Sequence, residues 1–364
     1  TNAVTVSPNG TDKIGSVNVD VTLNTEGQSV TFVFVDSTQG WINTMDSTSN
    51  VRGANFICAS VSGAGNSIAT VGGCKVATFT GPGTFTVNSV ADCSANNEIS
   101  YIVVAGGGGG GGRHGGAGGA GGFREDKSPV TPYTASPLDG AGPITVTATG
   151  YPITVGSGGT AGNRNPSSAG TNGANSVFST ITSTGGGRGY TYATGNPGTG
   201  GQPGGSGGGG GHTQCSGIPG GAGNTPPVSP SQGNNGGNGT GGPYDYSGGG
   251  GGGATANGAT APSVGGGAGG AGATTSINGT PTGRAGGGGG GNYNVAPGGA
   301  GAATDGGGAG GGGPPGSPTT ATAGTANTGG GGGGYGGTNP GNPSPTCTGG
   351  NGGSGVVIIR YKSS

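Results

Sequence analysis

Apolar and polar residues alternate with a period of two through much of the first hundred positions, the period of a half-buried strand. SVNVDVTL and SVTFVFVD are two such runs, joined by Asn24, Thr25, Glu26 and Gly27, and the pattern predicts a hairpin. KVATFT (75–80) and TFTV (84–87) flank Gly81, Pro82 and Gly83 and predict a second one, because proline fixes one turn torsion and glycine supplies positive φ. ISYIVVA (99–105) reads as a buried strand that enters seven consecutive glycines with no turn signal between. Further on, ITVTATG and YPITVG predict another hairpin, SVFSTIT is a short apolar run, and GVVIIRYK closes the chain as a strand. No window shows apolar spacing of three and four, so essentially no α-helix is expected.

Composition separates the chain into two regimes. Of 105 glycines only 11 fall in residues 1–100, and with 27% hydrophobic residues overall an ordinary core is out of reach for most of the rest. The expected organisation is a β-hairpin stem segment at 1–50, a second small β region at 51–100 and a glycine-rich domain at 101–364. Each β region has about fifty residues and few large apolar side chains, too little to fold well alone. Self-association, such as a trimeric stem, would supply the missing burial.

Glycine-rich sequence is flexible linker by default. Here the tracts recur, at 106–112, 207–211, 248–253, 286–291, 310–313 and 329–334, separated by non-identical segments rich in Asn, Thr, Pro and Tyr, and a strand ends the chain. The ordered alternative is polyglycine II: three residues per turn, about 3.1 Å rise and no internal hydrogen bonds. Every amide must then find a partner in a neighbouring segment. Without side chains such helices can hydrogen-bond on all sides in a hexagonal array. Ordering costs about 1–2 kcal/mol per residue against a net of about 0.5–1.5 per hydrogen bond. Close packing and Cα–H···O contacts must contribute, and the strands at both ends must fix the register.

Charge and motifs exclude more than they suggest. A net charge of −1, with 11 Lys and Arg scattered singly, leaves no basic stripe for nucleic acid or an anionic membrane, and no apolar run is long enough for a membrane span. The polar start TNAVTVSPNG lacks Met and is not a signal peptide, as expected of a processed or partial chain. Five cysteines with no CxxC pair read as half-buried thiols, not as a disulfide framework or a metal cluster. The G-x-G-x-x-G matches arise by chance and open no helix. His114 and His212 lie nearly a hundred positions apart and support neither a metal site nor a catalytic triad, and His114 reads as a solvent-facing bulge or a sheet-edge contact. Arg124, Glu125, Asp126 and Lys127 read as a surface charge cluster, and the Asn-Gly-Thr triplets at Asn9, Asn238 and Asn278 as turns. Neither an enzyme nor a cofactor is expected.

Several phrases carry a family resemblance: ATFTGPGTFTV, YIVVAGGGGGG, GGAGGFRE, YPITVG, SVFSTITSTGGG, GTANTGGGGGG and the closing GSGVVIIRYK. They resemble the glycine-rich tail-fibre proteins of tailed bacteriophages, and EGQSVTFVFVDSTQGWINT resembles the segment that precedes this domain in marine phage fibres. The resemblance implies a polyglycine II sandwich at a fibre tip, closed by β-strands, whose end loops contact the host surface. It also implies a homotrimeric fibre, a host-surface protein or polysaccharide as partner, and a place in the virion, extracellular when acting, after folding in the host cytoplasm. The chain departs from that picture in its long β region and in loops made mostly of small residues.

If consecutive tracts run antiparallel, 335–348, 292–305, 254–264 and 212–232 lie at the distal end, and 188–206, 243–247, 273–285 and 314–328 near the stem. Asn292, Tyr293, Asn294, Tyr335 and His212 are then the candidate receptor contacts, since Tyr offers a rigid amphipathic face at low entropy cost. The expected function is a non-enzymatic fibre protein presenting loops from a glycine platform. The alternative is a filament or decoration protein in which the glycine region only mediates assembly. Ice binding would need a small side chain repeated every third residue, which the irregular loops lack.

Overall fold

The computed structural model describes residues 3–25, 28–46, 56–163, 168–192, 200–212, 217–241, 246–293, 299–313, 319–337 and 348–363. Two compact units emerge, one of Thr1–Asn55 with Ala91–Cys93, the other of Phe56–Val90 with Ser94–Ser364. In the first, β1 (Val4–Val6) pairs with β2 (Val21–Leu23) and β3 (Val30–Asp36) with β4 (Gly40–Asp46), both antiparallel. The expected hairpin between SVNVDVTL and SVTFVFVD is therefore replaced by one in which β3 takes the next strand instead. The Asp36 carboxylate accepts the amides of Thr38 and Gln39 at 2.8 and 2.7 Å, closing the turn between β3 and β4. Ile14 is the one large hydrophobic side chain buried among the described residues of this unit. Val33, Phe34 and Val35 are 45–48% exposed, and because successive residues face opposite ways, both faces of the ribbon are apolar and open.

The second unit is built on two sheets. Its strands are β5 (Cys58–Ser62), β6 (Ser67–Val71), β7 (Cys74–Phe79), β8 (Gly83–Ser89), β9 (Glu98–Val104), β10 (Phe123–Asp126), β11 (Ile144–Thr145), β12 (Gly150–Thr154), β13 (Ser176–Phe178) and β14 (Ile181–Ser183). They continue with the short β15 (Ala273–Thr275), β16 (Thr282–Arg284), β17 (Asn292–Tyr293) and β18 (Gly312–Gly313), and end with β19 (Val356–Lys362). One sheet runs β10-β9-β19-β7-β6 with β11 also on β9, the other β14-β13-β12-β8-β5. The second small β region expected at 51–100 thus shares its sheets with strands from 123–183 and 356–362. Helix is confined, among the described residues, to the 3-10 turn Ser94–Asn97.

Two expected hairpins are absent. β7 and β8 belong to different sheets, and so do β11 and β12. Gly81, Pro82 and Gly83 make a corner and not a ladder turn, which lets Phe79 and Phe85 face each other's sheets, both fully buried. Phe85 meets Tyr361 and Tyr101 meets Phe178 at ring-centroid distances of 5.7 and 5.8 Å. On the opposite face of the first sheet a second cluster joins Ile102, Val104, Phe123, Ile277, Val356 and Ile358. β9 and β19 are therefore buried on both sides, which is why EISYIVV and VVIIRYK show no alternation. They pair antiparallel from Val356↔Val104 to Arg360↔Ser100, so the closing strand lies beside the one that enters the glycine region.

Beyond Val104 the hydrogen bonding changes from a ladder to a three-residue cycle. In 106–112 the amides of 106 and 109 donate to Ala174 and Thr171, those of 107 and 110 to Gly353 and Gly350, and those of 108 and 111 to Gly119 and Gly116. The carbonyls follow the same cycle, accepting from 186 and 189, from 159 and 162, and from 332 and 335, all at 2.8–3.0 Å. One segment thus bonds to six neighbours, the hexagonal arrangement of polyglycine II. The segments 115–122, 206–212, 248–253, 286–291 and 329–335 are enclosed in the same way. Close approach forbids a side chain here: a Cβ at Gly108, Gly109 or Gly110 would lie 2.2, 1.9 or 2.0 Å from the carbonyl oxygen of Gly187, Thr160 or Gly333.

Rim segments such as 168–175, 233–241 and 319–325 lack neighbours on one side and carry Asn, Thr and Ala there. Their asparagines close the array. Asn172 and Asn175, one turn apart, accept the amides of Arg188 and Gly185 at 2.9 Å, and Asn235 and Asn238 those of Gly223 and Gly220 at 2.8 and 3.1 Å. Asn238 is therefore not in the turn expected of it, whereas Asn9 and Asn278 are at turns.

Segments 106–112, 155–163, 184–192, 206–212, 233–241, 256–261, 285–292, 306–313 and 329–337 run away from the sheets, and the others return. The far end is thus reached at Tyr192, Gly241 and Gly313, correcting the expectation that 188–206, 243–247 and 314–328 lie near the stem, while the turn at 253–256 is near the sheets and not distal. The count failed because returning segments such as 217–224, 299–305 and 319–325 are rim helices without an unbroken glycine tract.

Candidate functional site

Segment 115–122 is the hub of the array, and each of its six neighbours carries at least one aromatic ring or imidazole where it ends at the far side. His114 follows 106–112, Tyr192 ends 184–192, His212 ends 206–212, Tyr246 precedes 248–253, Tyr293 follows 286–291 and Tyr335 ends 329–335. Five of the rings gather into a crown. His114 stacks on Tyr246 at 4.8 Å and meets Tyr192, His212 and Tyr293 edge-on at 5.5, 5.6 and 6.2 Å. Tyr246 also meets His212 at 4.5 Å and Tyr293 at 5.3 Å. His114 reaches the centre because its backbone is left-handed, φ 46°, in the link between two enclosed segments. Arg113, beside it, lies 4.9 Å over the Tyr192 ring.

The expected contact residues divide between surface and interior. Tyr293 is half-buried within the crown. His212, Asn292 and Tyr335 are buried, Asn292 accepting from the Ser247 hydroxyl at 3.3 Å and Tyr335 donating its amide to Gly111 at 2.9 Å. Asn294 lies outside the described residues. His114, expected at a solvent-facing bulge or sheet edge, is 4% exposed, and its ring meets that of His212 despite their separation along the chain. Sequence reasoning missed Tyr192 and Tyr246 as members. The available signal was only that each lies close to a run of glycines, Tyr192 after 185–187 and Tyr246 before 248–253.

At the opposite end, Arg124, Glu125 and Asp126 are buried, correcting the expectation of a surface charge cluster. β10 lies against β9, which turns Glu125 to the face of Ile102 and Asp126 to that of Tyr101. Glu125 accepts from the Ser136 amide at 2.9 Å and the Thr275 hydroxyl at 2.6 Å, and Asp126 from the Gly142 amide at 2.9 Å. Burial holds the Asp126 carboxyl above the usual carboxylate range and pulls the Arg124 and Arg284 guanidinium groups down. It also pushes the Tyr361 hydroxyl up to about 12.

Because the folded pKa of Asp126 exceeds the unfolded one, this group favours the fold more as pH falls through the folded value, and costs stability at neutral pH. Asp126→Asn keeps an acceptor for Gly142 and removes the buried charge. The melting temperature at pH 7 is expected to rise by a few degrees, with the gain disappearing towards pH 4, as calorimetry across that range would show.

Among the described residues no three His, Cys, Asp or Glu side chains are placed to hold a metal ion, and no helix is long and apolar enough to cross a membrane. A family model described as a glycine-rich domain matches residues 78–362. No curated protein matches the sequence.

Proposed function

The chain belongs to the glycine-rich domain family, and from that premise we propose that it is a non-enzymatic tail-fibre protein of a bacteriophage, acting outside the cell as part of the virion. Its glycine array is a platform, and its far end recognises the host-cell surface. The observation that carries this reading is the asymmetry of the array: one end closes on a two-sheet core, and the other ends in half-exposed tyrosines on a rigid support. Rigid aromatic side chains on a fixed scaffold suit recognition, because little entropy is lost when they are covered. The open apolar ribbon of β3 and β4 supports self-association of the first unit, in keeping with a homotrimeric fibre.

Tyr293→Ala is expected to lower attachment to host cells about tenfold while leaving the melting temperature within a few degrees of the parent. Unchanged attachment would remove Tyr293 from the recognising surface. The same open ribbon favours a second reading, in which the protein is a filament or decoration subunit. Electron microscopy separates the two: a free knob at a fibre tip fits host recognition, and knobs enclosed between successive subunits fit assembly.

A further inference from the structure

The crown has a charge pattern that the rest of its unit lacks. The described carboxylates of that unit, Glu98, Glu125, Asp126, Asp139 and Asp305, all lie at the sheet end, and Asp245 falls outside the described residues. At the far end the crown brings Arg113 and two imidazoles together with tyrosines. Arg113 is half-buried, its guanidinium rests on the Tyr192 ring, and among the described residues no carboxylate pairs with it. Stacking uses the face of the guanidinium and none of its five N–H donors, which match a carboxylate or sulfate in bidentate fashion. Tyr192, Tyr246 and Tyr293 are half-buried, so each offers part of an apolar ring and a polar tip to a ligand.

We infer that the crown is a binding site for an acidic saccharide, whose anionic group pairs with Arg113 and whose apolar ring face rests on Tyr246 and Tyr293. This rests on the reading that the far end is the recognising end. A sugar fits better than a protein surface because, among the described residues, the crown contains aromatic, imidazole and guanidinium groups and no aliphatic side chain that would anchor in a protein pocket.

The test is calorimetric titration of the full chain with three oligosaccharides of equal length, a galacturonate, a sulfated galactan and a neutral glucan. At least one acidic oligomer is expected to bind about tenfold tighter than the neutral one, and raised salt should weaken that binding. The stronger of the two identifies carboxylate or sulfate as the preferred anion. Arg113→Gln should lose about tenfold or more of that affinity, Arg113→Lys less, and Tyr293→Ala several-fold, with unchanged melting temperatures. Equal binding of acidic and neutral oligomers, no saturation by any of them at about 1 mM, or full affinity in Arg113→Gln would overturn the inference. If the acidic oligomers also fail to compete with host attachment while Tyr293→Ala still lowers it, the recognition reading stands and a protein receptor replaces the sugar.

Discussion

Gly250→Ala is expected to destabilise the protein by about 3 kcal/mol or more, at the upper end of what one added methyl does in a packed interior. The new Cβ would sit 1.9 Å from the carbonyl oxygen of Ala268 and 2.5 Å from its carbon. Both are backbone atoms, so no rotamer change relieves the clash. The segment must move away from its neighbour, stretching bonds such as Gly250 N to the Ala259 carbonyl and weakening others on all sides. Gly81→Ala is the control: its Cβ would meet the Ala64 oxygen at 3.5 Å, ordinary contact, and a change within about 0.5 kcal/mol is expected. Denaturant unfolding of both variants checks the difference. Equal stabilities would mean that the enclosed segments are not packed as described.

Removal of residues 356–364 is expected to leave no folded glycine-rich unit at all. β19 pairs with β7 from Val357↔Phe79 to Lys362↔Cys74 and with β9 on its other side, and it contributes to the cores on both faces. Its loss separates the sheet into halves and opens Tyr101, Phe79 and Ile102 to water. The single substitution Ile359→Ala gives a graded version, a loss of about 2–5 kcal/mol at a fully buried position. Near-ultraviolet circular dichroism and protease resistance report both. A truncated chain that keeps the parent's protease resistance across 106–122 would show that the array holds its register without the closing strand.

The strands were legible because alternation and unbroken apolar runs report burial directly, as in EISYIVV and VVIIRYK. Their partners were not. KVATFT and TFTV look like a hairpin locally, yet Phe79 and Phe85 gain more burial by facing each other across two sheets than along one ladder. The array was legible for a different reason. A helix enclosed by six neighbours has little room for side chains, so five of the six pure glycine tracts mark enclosed segments, and 310–313, in a rim segment, is the exception.

Rim segments escape that rule, since one open side tolerates Asn, Thr or Pro, and so the returns were missed and the ends miscounted. The hub itself was missed as a tract because Ala117 and Ala120, one turn apart and fully buried, interrupt its glycines. Of the crown, Tyr293 and His212 were among the candidates because they lie in loops that the count placed at the distal end. His114, Tyr192 and Tyr246 were not, because their nearness depends on which segments surround the hub, and no local pattern encodes that.

Backbone hydrogen exchange followed by mass spectrometry tests the central claim most directly. Amides in 106–112, 248–253 and 286–291 are expected to exchange orders of magnitude more slowly than in a free glycine-rich peptide, because opening one segment breaks bonds to several neighbours at once. Outward-facing amides of the rim segments should exchange faster than these. Free-peptide rates throughout the enclosed tracts, with slow exchange only in β7, β9 and β19, would contradict the array and leave the glycine region a linker between strands.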